Sequence, residues 1–261
     1  MLNIADFYYT GTNIKQDVSK AFEYHQKASE LGNPVSTHNV GLFYEKGIGI
    51  DINYTKALEY YRKASNLGNS DSMFRAGFLY KNGKGVEQDH SKAAQYFQRA
   101  AGLGNKESLY FLGVAYQYGN GVEQNNAKAV EYYQKSIDLG NERAMFNMAL
   151  AYYNGSIVKK NYSKAFEYFQ KLAENGDSDA IFWLGDCYKK GFGVKQSYSK
   201  AVELYQKSAD LGYTLALYEL GICYEEGIGV RQNYSKAIEY YEKAAKKNYS
   251  YAIEKLKILK H

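Results

Sequence analysis

Proline, cysteine and long apolar runs are all scarce in this sequence. Pro34 is the single proline among 261 residues, which suits a chain that is nearly all helix. Two cysteines cannot form a disulfide framework and favour a reducing compartment. No apolar run reaches the ~18 residues of a membrane helix. The N-terminal residues also lack the basic and then apolar regions of a signal peptide.

Charge of predominantly one sign is lacking as well. The 33 Lys and Arg residues and the 28 Asp and Glu residues alternate along the chain and leave a net charge of +5. A nucleic-acid-binding surface needs clustered Lys and Arg, and no such run occurs, so we expect no nucleic-acid partner. Hydrophobic residues make up 45% of the chain, which suffices for a core, and tyrosine is unusually frequent at 29 residues.

The 24 glycines do not fit a helical chain unless they fall at fixed positions, and most of them do. The sequence repeats every 36 residues without an insertion. A glycine that we call the packing glycine recurs as Gly41, Gly77, Gly113, Gly185 and Gly221, and a tyrosine follows three residues later each time. The repeats span 1–33, 34–69, 70–105, 106–141, 142–177, 178–213 and 214–249, and a half-repeat covers 250–261.

Each repeat is predicted to form two amphipathic helices, A and B. In the second repeat, Val40, Gly41 and Tyr44 share one face of helix A, and the same 3,4 spacing recurs in helix B. A residue able to cap a helix N-terminus precedes each helix B: Asp17, Asn53, Asp89, Asn125, Asn161, Ser197 and Asn233. Each helix B is followed by a residue that tolerates a left-handed backbone: Gly32, Gly68, Gly104, Gly140, Gly176, Gly212 and Asn248.

The pattern resembles the Sel-one-like repeat family, which is related to the tetratricopeptide repeats. Residues 220–245 show nearly the whole family motif, with Leu220-Gly221, Tyr224, Gly227, Gly229-Val230, Asn233, Lys236-Ala237, Tyr240-Tyr241 and Lys243-Ala244-Ala245. The resemblance implies an all-α fold, a right-handed α-α superhelix (solenoid) of helix–loop–helix repeats. It also implies a scaffold for protein complexes, since family members mostly act in that way. We expect one solenoid domain over 1–261.

The fifth repeat and the C-terminal half-repeat depart from the pattern. Ala149 replaces the packing glycine, Ile157 replaces the second loop glycine, and Leu172 replaces a small helix-B residue. Because a β-branched residue resists a positive φ, we expect a different loop path and a local change in curvature. In the half-repeat we expect a capping helix. Its apolar residues Ala252, Ile253, Leu256 and Leu259 would face the preceding repeat, and its polar side would carry Lys255, Lys257 and Lys260.

Candidate binding residues follow from aligning the A helices with those of tetratricopeptide proteins, where ligands lie in a concave groove. The positions that would face such a groove carry His38, Leu42, Phe74, Phe78, Tyr110, Val114, Tyr118, Phe146, Leu150, Tyr153, Phe182, Asp186, Tyr218 and Ile222. Aromatic side chains anchor interfaces because they bury much area with little loss of rotamer freedom. The alternative is that the same rings pack between neighbouring A helices as core, and both interpretations stay open.

Catalytic and metal chemistry finds no support in the residue pattern. The four histidines occupy unrelated repeat positions without metal-ligand spacing, so we expect no metal and no cofactor. Cys187 and Cys223 share one repeat position and are expected to be small core residues rather than a disulfide. Gly47-Ile48-Gly49 follows a helix rather than a strand, so its role is a turn rather than a phosphate loop.

The predicted function is therefore a non-catalytic scaffold or adaptor that binds a peptide or protein in the helix-A groove. We expect a monomeric, cytoplasmic protein without membrane insertion; a fragment of a larger or exported protein is the alternative. A module that binds a glycan or another non-protein ligand is a second possibility, because tyrosines stack on sugar rings. A hydrolase acting on β-lactams or cell-wall material ranks last, because the chain lacks the paired cysteines of the family members credited with that activity.

Overall fold

The structure is a computed structural model that describes residues 2–12 and 14–259. Within these ranges it contains fifteen α-helices and no strand, so the all-α prediction is confirmed. The helices are α1 (Leu2–Thr10), α2 (Val18–Glu30), α3 (Pro34–Lys46), α4 (Tyr54–Asn66), α5 (Ser70–Asn82), α6 (His90–Gly102), α7 (Lys106–Tyr118), α8 (Asn126–Asp138), α9 (Glu142–Asn154), α10 (Tyr162–Glu174), α11 (Ser178–Lys190), α12 (Tyr198–Asp210), α13 (Thr214–Glu226), α14 (Tyr234–Ala245) and α15 (Ser250–Leu259). Odd-numbered helices are the predicted A helices, and even-numbered helices are the B helices.

Capping side chains set where the B helices begin. The side-chain oxygen of Asn53 accepts a hydrogen bond from the backbone N–H of Lys56, and all seven predicted caps make the equivalent bond. The residues predicted to follow the B helices all have a positive φ, from 61° at Asn248 to 96° at Gly212. Both sets of predictions are confirmed, because capping depends only on neighbours along the chain.

The loops between helix A and helix B use glycine for a left-handed backbone. Gly47 ends α3 with φ 68°, and Gly49 has φ 67°. Ile157 is not among the positive-φ residues of the described chain, so the loop of the fifth repeat does follow a different backbone path. The change in curvature expected there stays a prediction.

Each packing glycine makes room for a large ring from helix B of its own repeat. A Cβ atom added to Gly41 would lie 2.7 Å from the Tyr61 ring, closer than van der Waals contact allows. Tyr61 is fully buried, as are Tyr133, Tyr205 and Tyr241, which lie against Gly113, Gly185 and Gly221. In the fifth repeat Phe169 is fully buried although Ala149 replaces the glycine. The first repeat has Ala5 in place of the glycine and the smaller His25 in place of the ring. The glycine therefore allows a close approach of the two helices with an aromatic ring between them.

A second recurring contact joins the tyrosine of helix A to a tyrosine and two lysines of helix B. Tyr44 of α3 stacks on Tyr60 of α4 with 5.8 Å between ring centroids. The ammonium groups of Lys56 and Lys63 lie 5.2 and 4.9 Å from these two ring centroids, one on each tyrosine. Equivalent stacks occur at Tyr8–Tyr24, Tyr80–Tyr96, Tyr116–Tyr132 and Tyr224–Tyr240. Cation–π contacts of about 0.5–1 kcal/mol each thus reinforce the pairing of helix A with helix B.

The chain forms two compact units, one ending at Asn141 and the other beginning at Glu142. In the first unit, which we call the N-terminal unit, each helix from α1 to α8 packs against the next. In the second, the C-terminal unit, the same holds from α9 to α15. Each unit is thus an α-solenoid of stacked helix pairs, and the solenoid prediction is confirmed. The single-domain assignment over 1–261 stays a prediction.

Helix α15 closes the C-terminal unit. Ala252 is fully buried, and Leu256 and Leu259 pack against the core that it joins. Ile253 is 38% exposed, and its predicted contact with the preceding repeat stays a prediction. Lys260 lies outside the described residues.

Candidate functional site

The predicted aromatic positions of the N-terminal unit contact the helix-B rings of their own repeats. Ring centroids lie 5.5 Å apart for His38 and Tyr61, 6.0 Å apart for Phe74 and Phe97, and 6.0 Å apart for Tyr110 and Tyr133. His38 and Phe74 are half-buried and Tyr110 is buried. Each ring therefore rests on the core.

The C-terminal unit repeats this arrangement. Phe146 contacts Phe169 at 5.9 Å, Phe182 contacts Tyr205 at 5.4 Å, and Tyr218 contacts Tyr241 at 5.6 Å between centroids. Phe182 is buried, whereas Phe146 and Tyr218 are half-buried. The two interpretations of these rings are thus not exclusive, because a half-buried ring can pack on the core and still present an edge to solvent.

The remaining predicted residues differ widely in exposure. Tyr118 is 65% exposed at the end of α7. A group of aliphatic and aromatic residues is half-buried: Leu42, Phe78, Val114, Leu150 and Ile222. Tyr153 and Asp186 are buried, with the Tyr153 hydroxyl donating to Asp186 Oδ2. Lys190 Nζ lies 2.9 Å from the Tyr153 hydroxyl and 3.0 Å from Asp186 Oδ2, which completes a polar cluster.

One set of side-chain pairs between successive A helices has a constant spacing of 30 residues, and we call its members cross-repeat pairs. They are Glu45–Arg75 at 3.3 Å, Lys81 over the Phe111 ring at 5.4 Å, Tyr153–Trp183 at 5.2 Å between centroids, Lys189–Glu219 at 2.8 Å and Glu225–Lys255 at 2.9 Å. The partners on this face that were not predicted from the sequence are Arg75, Phe111, Trp183, Glu219 and Lys255. Opposite charges at a constant spacing of 30 residues were the available signal.

Three residues four positions after a packing glycine also bond to the buried helix-B ring of their repeat. The hydroxyls of Tyr61 and Tyr241 donate to Glu45 and Glu225, each at 2.5 Å, and Tyr133 donates to Gln117 at 2.7 Å. These bonds lie on the predicted face and tie it to the core. Burial, and then the neighbouring carboxylate, raise the pKa of the Tyr61 and Tyr241 hydroxyls far above the ordinary value.

Tyr205 is the exception among the hydroxyl-bearing rings. Its hydroxyl is buried and has no hydrogen-bond partner within the described residues. The residue that corresponds to Glu45 is Lys189, which donates to Glu219 instead. Phe97 and Phe169 avoid this problem, because they have no hydroxyl and the equivalent helix-A residues are Lys81 and Tyr153.

Burial shifts the pKa of the two cysteine thiols and of two histidines towards their neutral forms. Cys187 and Cys223 are free and buried, which confirms them as core residues, and burial raises their thiol pKa to about 12 and about 11. Burial lowers the pKa of His25 and of His38. Over residues 2–12 and 14–259, no group of His, Cys, Asp and Glu side chains could hold a metal ion. Over the same ranges, no helix is long and apolar enough to cross a membrane.

Two helices in every 36 residues, packed in chain order within each unit, define an α-solenoid of the tetratricopeptide-like class. The chain belongs to the Sel1 repeat family. The family model matches residues 1–33, 34–69, 70–105, 106–141, 142–177, 178–213 and 214–249, which are the predicted repeats.

Solved structures of family members are similar over nearly the whole chain. The protective antigen c5321 of uropathogenic Escherichia coli, described as having an SLR fold, is 29% identical with a TM-score of 0.90. That match covers 98% of this chain and 55% of the antigen, so this chain spans about half of the antigen's length. A Sel1 repeat protein from Oxalobacter formigenes is 28% identical with a TM-score of 0.80, covering 99% of this chain and 75% of that one.

More distant similarity shows the fold alone. Yeast Tom70 is 16% identical, with a TM-score of 0.51 over 93% of this chain and 51% of Tom70. The chain has no match among curated proteins.

Proposed function

We propose that this chain is a non-catalytic scaffold that binds a peptide or protein segment on the helix-A faces of its units. The observation that carries the proposal is a contrast between two sets of positions. The packing glycines, capping residues and lysine–tyrosine stacks recur from repeat to repeat, whereas the cross-repeat pairs change from ionic to aromatic. Positions that vary on a constant frame are where such a fold places specificity.

The surroundings of these residues favour binding over catalysis. Half-buried aromatic rings lie beside charged side chains, an arrangement that suits the apolar core and polar rim of a protein interface. The two thiols are buried, and burial favours the neutral forms of these thiols and of His25 and His38, which suits packing rather than nucleophilic or acid–base chemistry. Membership of a repeat family whose fold builds interaction surfaces supports the same proposal. We propose a monomer, since each unit buries its own core.

The proposal is tested by photo-cross-linking from two positions of similar exposure. A photoreactive phenylalanine analogue replaces Tyr118, which is 65% exposed on the helix-A face, or Leu103, which is 57% exposed at the end of α6. We expect protein adducts in cells from position 118 and few from position 103, because only the first lies on the proposed face.

The opposite distribution would contradict the proposal. Adducts from position 103 alone would place the interface elsewhere on the chain. No adducts from position 118, together with specific binding of the chain to a glycan array, would replace the scaffold with a carbohydrate-binding module.

A further inference from the structure

A pocket opens between α6 and α7 in the N-terminal unit. Phe97 and Ala94 of α6 form one wall, and Phe111 and Val114 of α7 form another. Lys81 of α5 stands beside it. The empty space amounts to about 280 Å³, including the part that is open to solvent. The enclosed part has a mostly apolar lining and admits the tip of an aliphatic side chain.

The pocket exists because one side chain is small where the other repeats have a larger one. Ala94 occupies a position that elsewhere carries Phe22, Leu58, Val130, Phe166, Val202 and Ile238. In the first repeat Phe22 fills the equivalent space, with its ring 5.5 Å from that of Phe43. In the fifth repeat Phe166 packs against the core, and Tyr162 stacks on Phe192 with 3.9 Å between centroids.

The loop between α7 and α8 adds to the opening. Asn120 lines the pocket. The equivalent Phe192 and Ile228 pack into the cores of the C-terminal unit. The third repeat therefore leaves unfilled a space that apolar side chains fill in the first, fifth and sixth repeats.

A positive charge without an acidic partner lies beside this pocket. Lys81 Nζ lies 5.4 Å from the Phe111 ring centroid and 5.9 Å from that of Phe78. None of the ion pairs within residues 2–12 and 14–259 includes Lys81. Every other charged first member of a cross-repeat pair there has an opposite charge: Glu45 has Arg75, Lys189 has Glu219 and Glu225 has Lys255.

Asp89, which precedes the pocket residue His90 in the sequence, is already paired with another lysine. Asp89 caps α6 by accepting from the backbone N–H of Lys92, and its other oxygen is 3.2 Å from Lys92 Nζ. His90, the first residue of α6, lies at the pocket and carries no negative charge. The surroundings of the pocket are thus complementary to an anion next to an apolar group.

We propose that this pocket binds a peptide segment in which an aliphatic residue is close in sequence to Asp or Glu. The aliphatic tip enters between Ala94 and Val114, and the carboxylate pairs with Lys81 above the Phe111 ring. This inference rests on the proposed function, which it deepens by naming the chemistry of the ligand. A basic segment is disfavoured, because it would place a second positive charge beside Lys81.

The experiment selects ligands for the whole chain from a displayed library of random peptides. We expect the enriched peptides to combine Asp or Glu with a neighbouring Leu, Ile, Val or Met. An enriched peptide is then synthesised and titrated against the parent chain and three variants. Lys81→Gln removes the charge, Ala94→Val fills the pocket, and Lys128→Gln is the control. Lys128 lies over the Tyr116 ring and does not line the pocket. Its substitution changes the net charge by the same amount as Lys81→Gln.

We expect Lys81→Gln and Ala94→Val each to weaken binding about tenfold, and Lys128→Gln to leave it unchanged. Ala94→Val is compatible with folding, because Val130 and Val202 occupy the same repeat position. Peptides that lack the acidic–aliphatic pattern, or that bind the Lys81→Gln and Ala94→Val variants like the parent, would overturn this inference and leave the scaffold proposal standing. Failure to enrich any peptide would count against both.

Discussion

At the scale of single residues, the helix-B ring and its helix-A neighbour are matched in chemistry. A tyrosine hydroxyl faces an acceptor at Tyr61, Tyr133 and Tyr241, and a phenylalanine stands where the neighbour is a lysine or a tyrosine. Tyr205 breaks this rule, since its neighbour Lys189 cannot accept a hydrogen bond. A buried hydroxyl without a partner costs about 1–3 kcal/mol.

This difference predicts opposite effects for two otherwise identical substitutions. Tyr61→Phe should lower the free energy of unfolding by about 1–2 kcal/mol, because it removes a hydrogen bond to the Glu45 carboxylate. Tyr205→Phe should leave the free energy of unfolding unchanged or raise it by up to ~1 kcal/mol, because it removes an unsatisfied polar atom. Urea unfolding measures both variants. Equal losses would show that the Tyr205 hydroxyl is bonded in solution.

At the scale of helices, a capping side chain marks where each helix B begins. Six of the seven caps are Asn or Asp, and the seventh is Ser197. Helix α13 shows a contrast, because Tyr213 precedes it and makes no side-chain capping bond. Tyr213 instead packs on Phe182, with 5.1 Å between ring centroids. Tertiary packing can therefore replace a cap at the start of an A helix.

The caps predict a graded effect at Asn53. Asn53→Ala should lower the free energy of unfolding by about 1 kcal/mol, because the N–H of Lys56 loses its acceptor. Asn53→Ser should cost only a few tenths of a kcal/mol, since Ser197 makes the same bond at the start of α12. Urea unfolding of the two variants, with circular dichroism at 222 nm, checks the order. A serine variant as unstable as the alanine variant would mean that the capping bond contributes little.

At the scale of the whole molecule, neutral groups buried in the core make stability sensitive to alkali. Burial raises the thiol pKa to about 12 for Cys187 and about 11 for Cys223, and it raises the Tyr213 hydroxyl pKa to about 12. The ordinary values are 9.0 for the thiols and 10.0 for the tyrosine. Because the folded pKa is the higher one, the unfolded chain ionises first. The stabilising contribution is complete below pH 9 and is lost as the pH rises towards the folded values.

We therefore expect the free energy of unfolding to fall from pH 9 upward, by up to ~1.4 kcal/mol per pH unit for each such group. The Cys187→Ala and Cys223→Ala double variant should show a flatter profile between pH 9 and 10, because the thiols of the unfolded chain ionise at lower pH than its tyrosines. Alanine already occupies this repeat position at Ala115 and Ala151. Urea unfolding at several pH values measures both profiles. A double variant that falls as steeply as the parent would assign the loss to other groups.

The sequence by itself determined the features that depend on neighbours along the chain. The 36-residue period, the caps such as Asn53 and the left-handed positions such as Gly32 were all predicted correctly. A cap bonds a backbone N–H three residues away, and a left-handed φ depends on a single residue, so both leave a local pattern in the sequence. The packing glycine was also recognised from the sequence, although its contact is with another helix. Its recurrence every 36 residues indicates a close approach whatever the partner is.

Only the tertiary structure decided which side chains meet across successive repeats. In the described residues Glu45 forms an ion pair with Arg75, Lys81 forms no ion pair with an acidic side chain, and the Tyr205 hydroxyl has no hydrogen-bond acceptor. The tertiary structure also showed that Ala94 opens a pocket, which depends on α7 as much as on α6. The physical reason is that these contacts join residues of different helices that are far apart in the sequence. Packing geometry rather than local backbone preference therefore selects the partner.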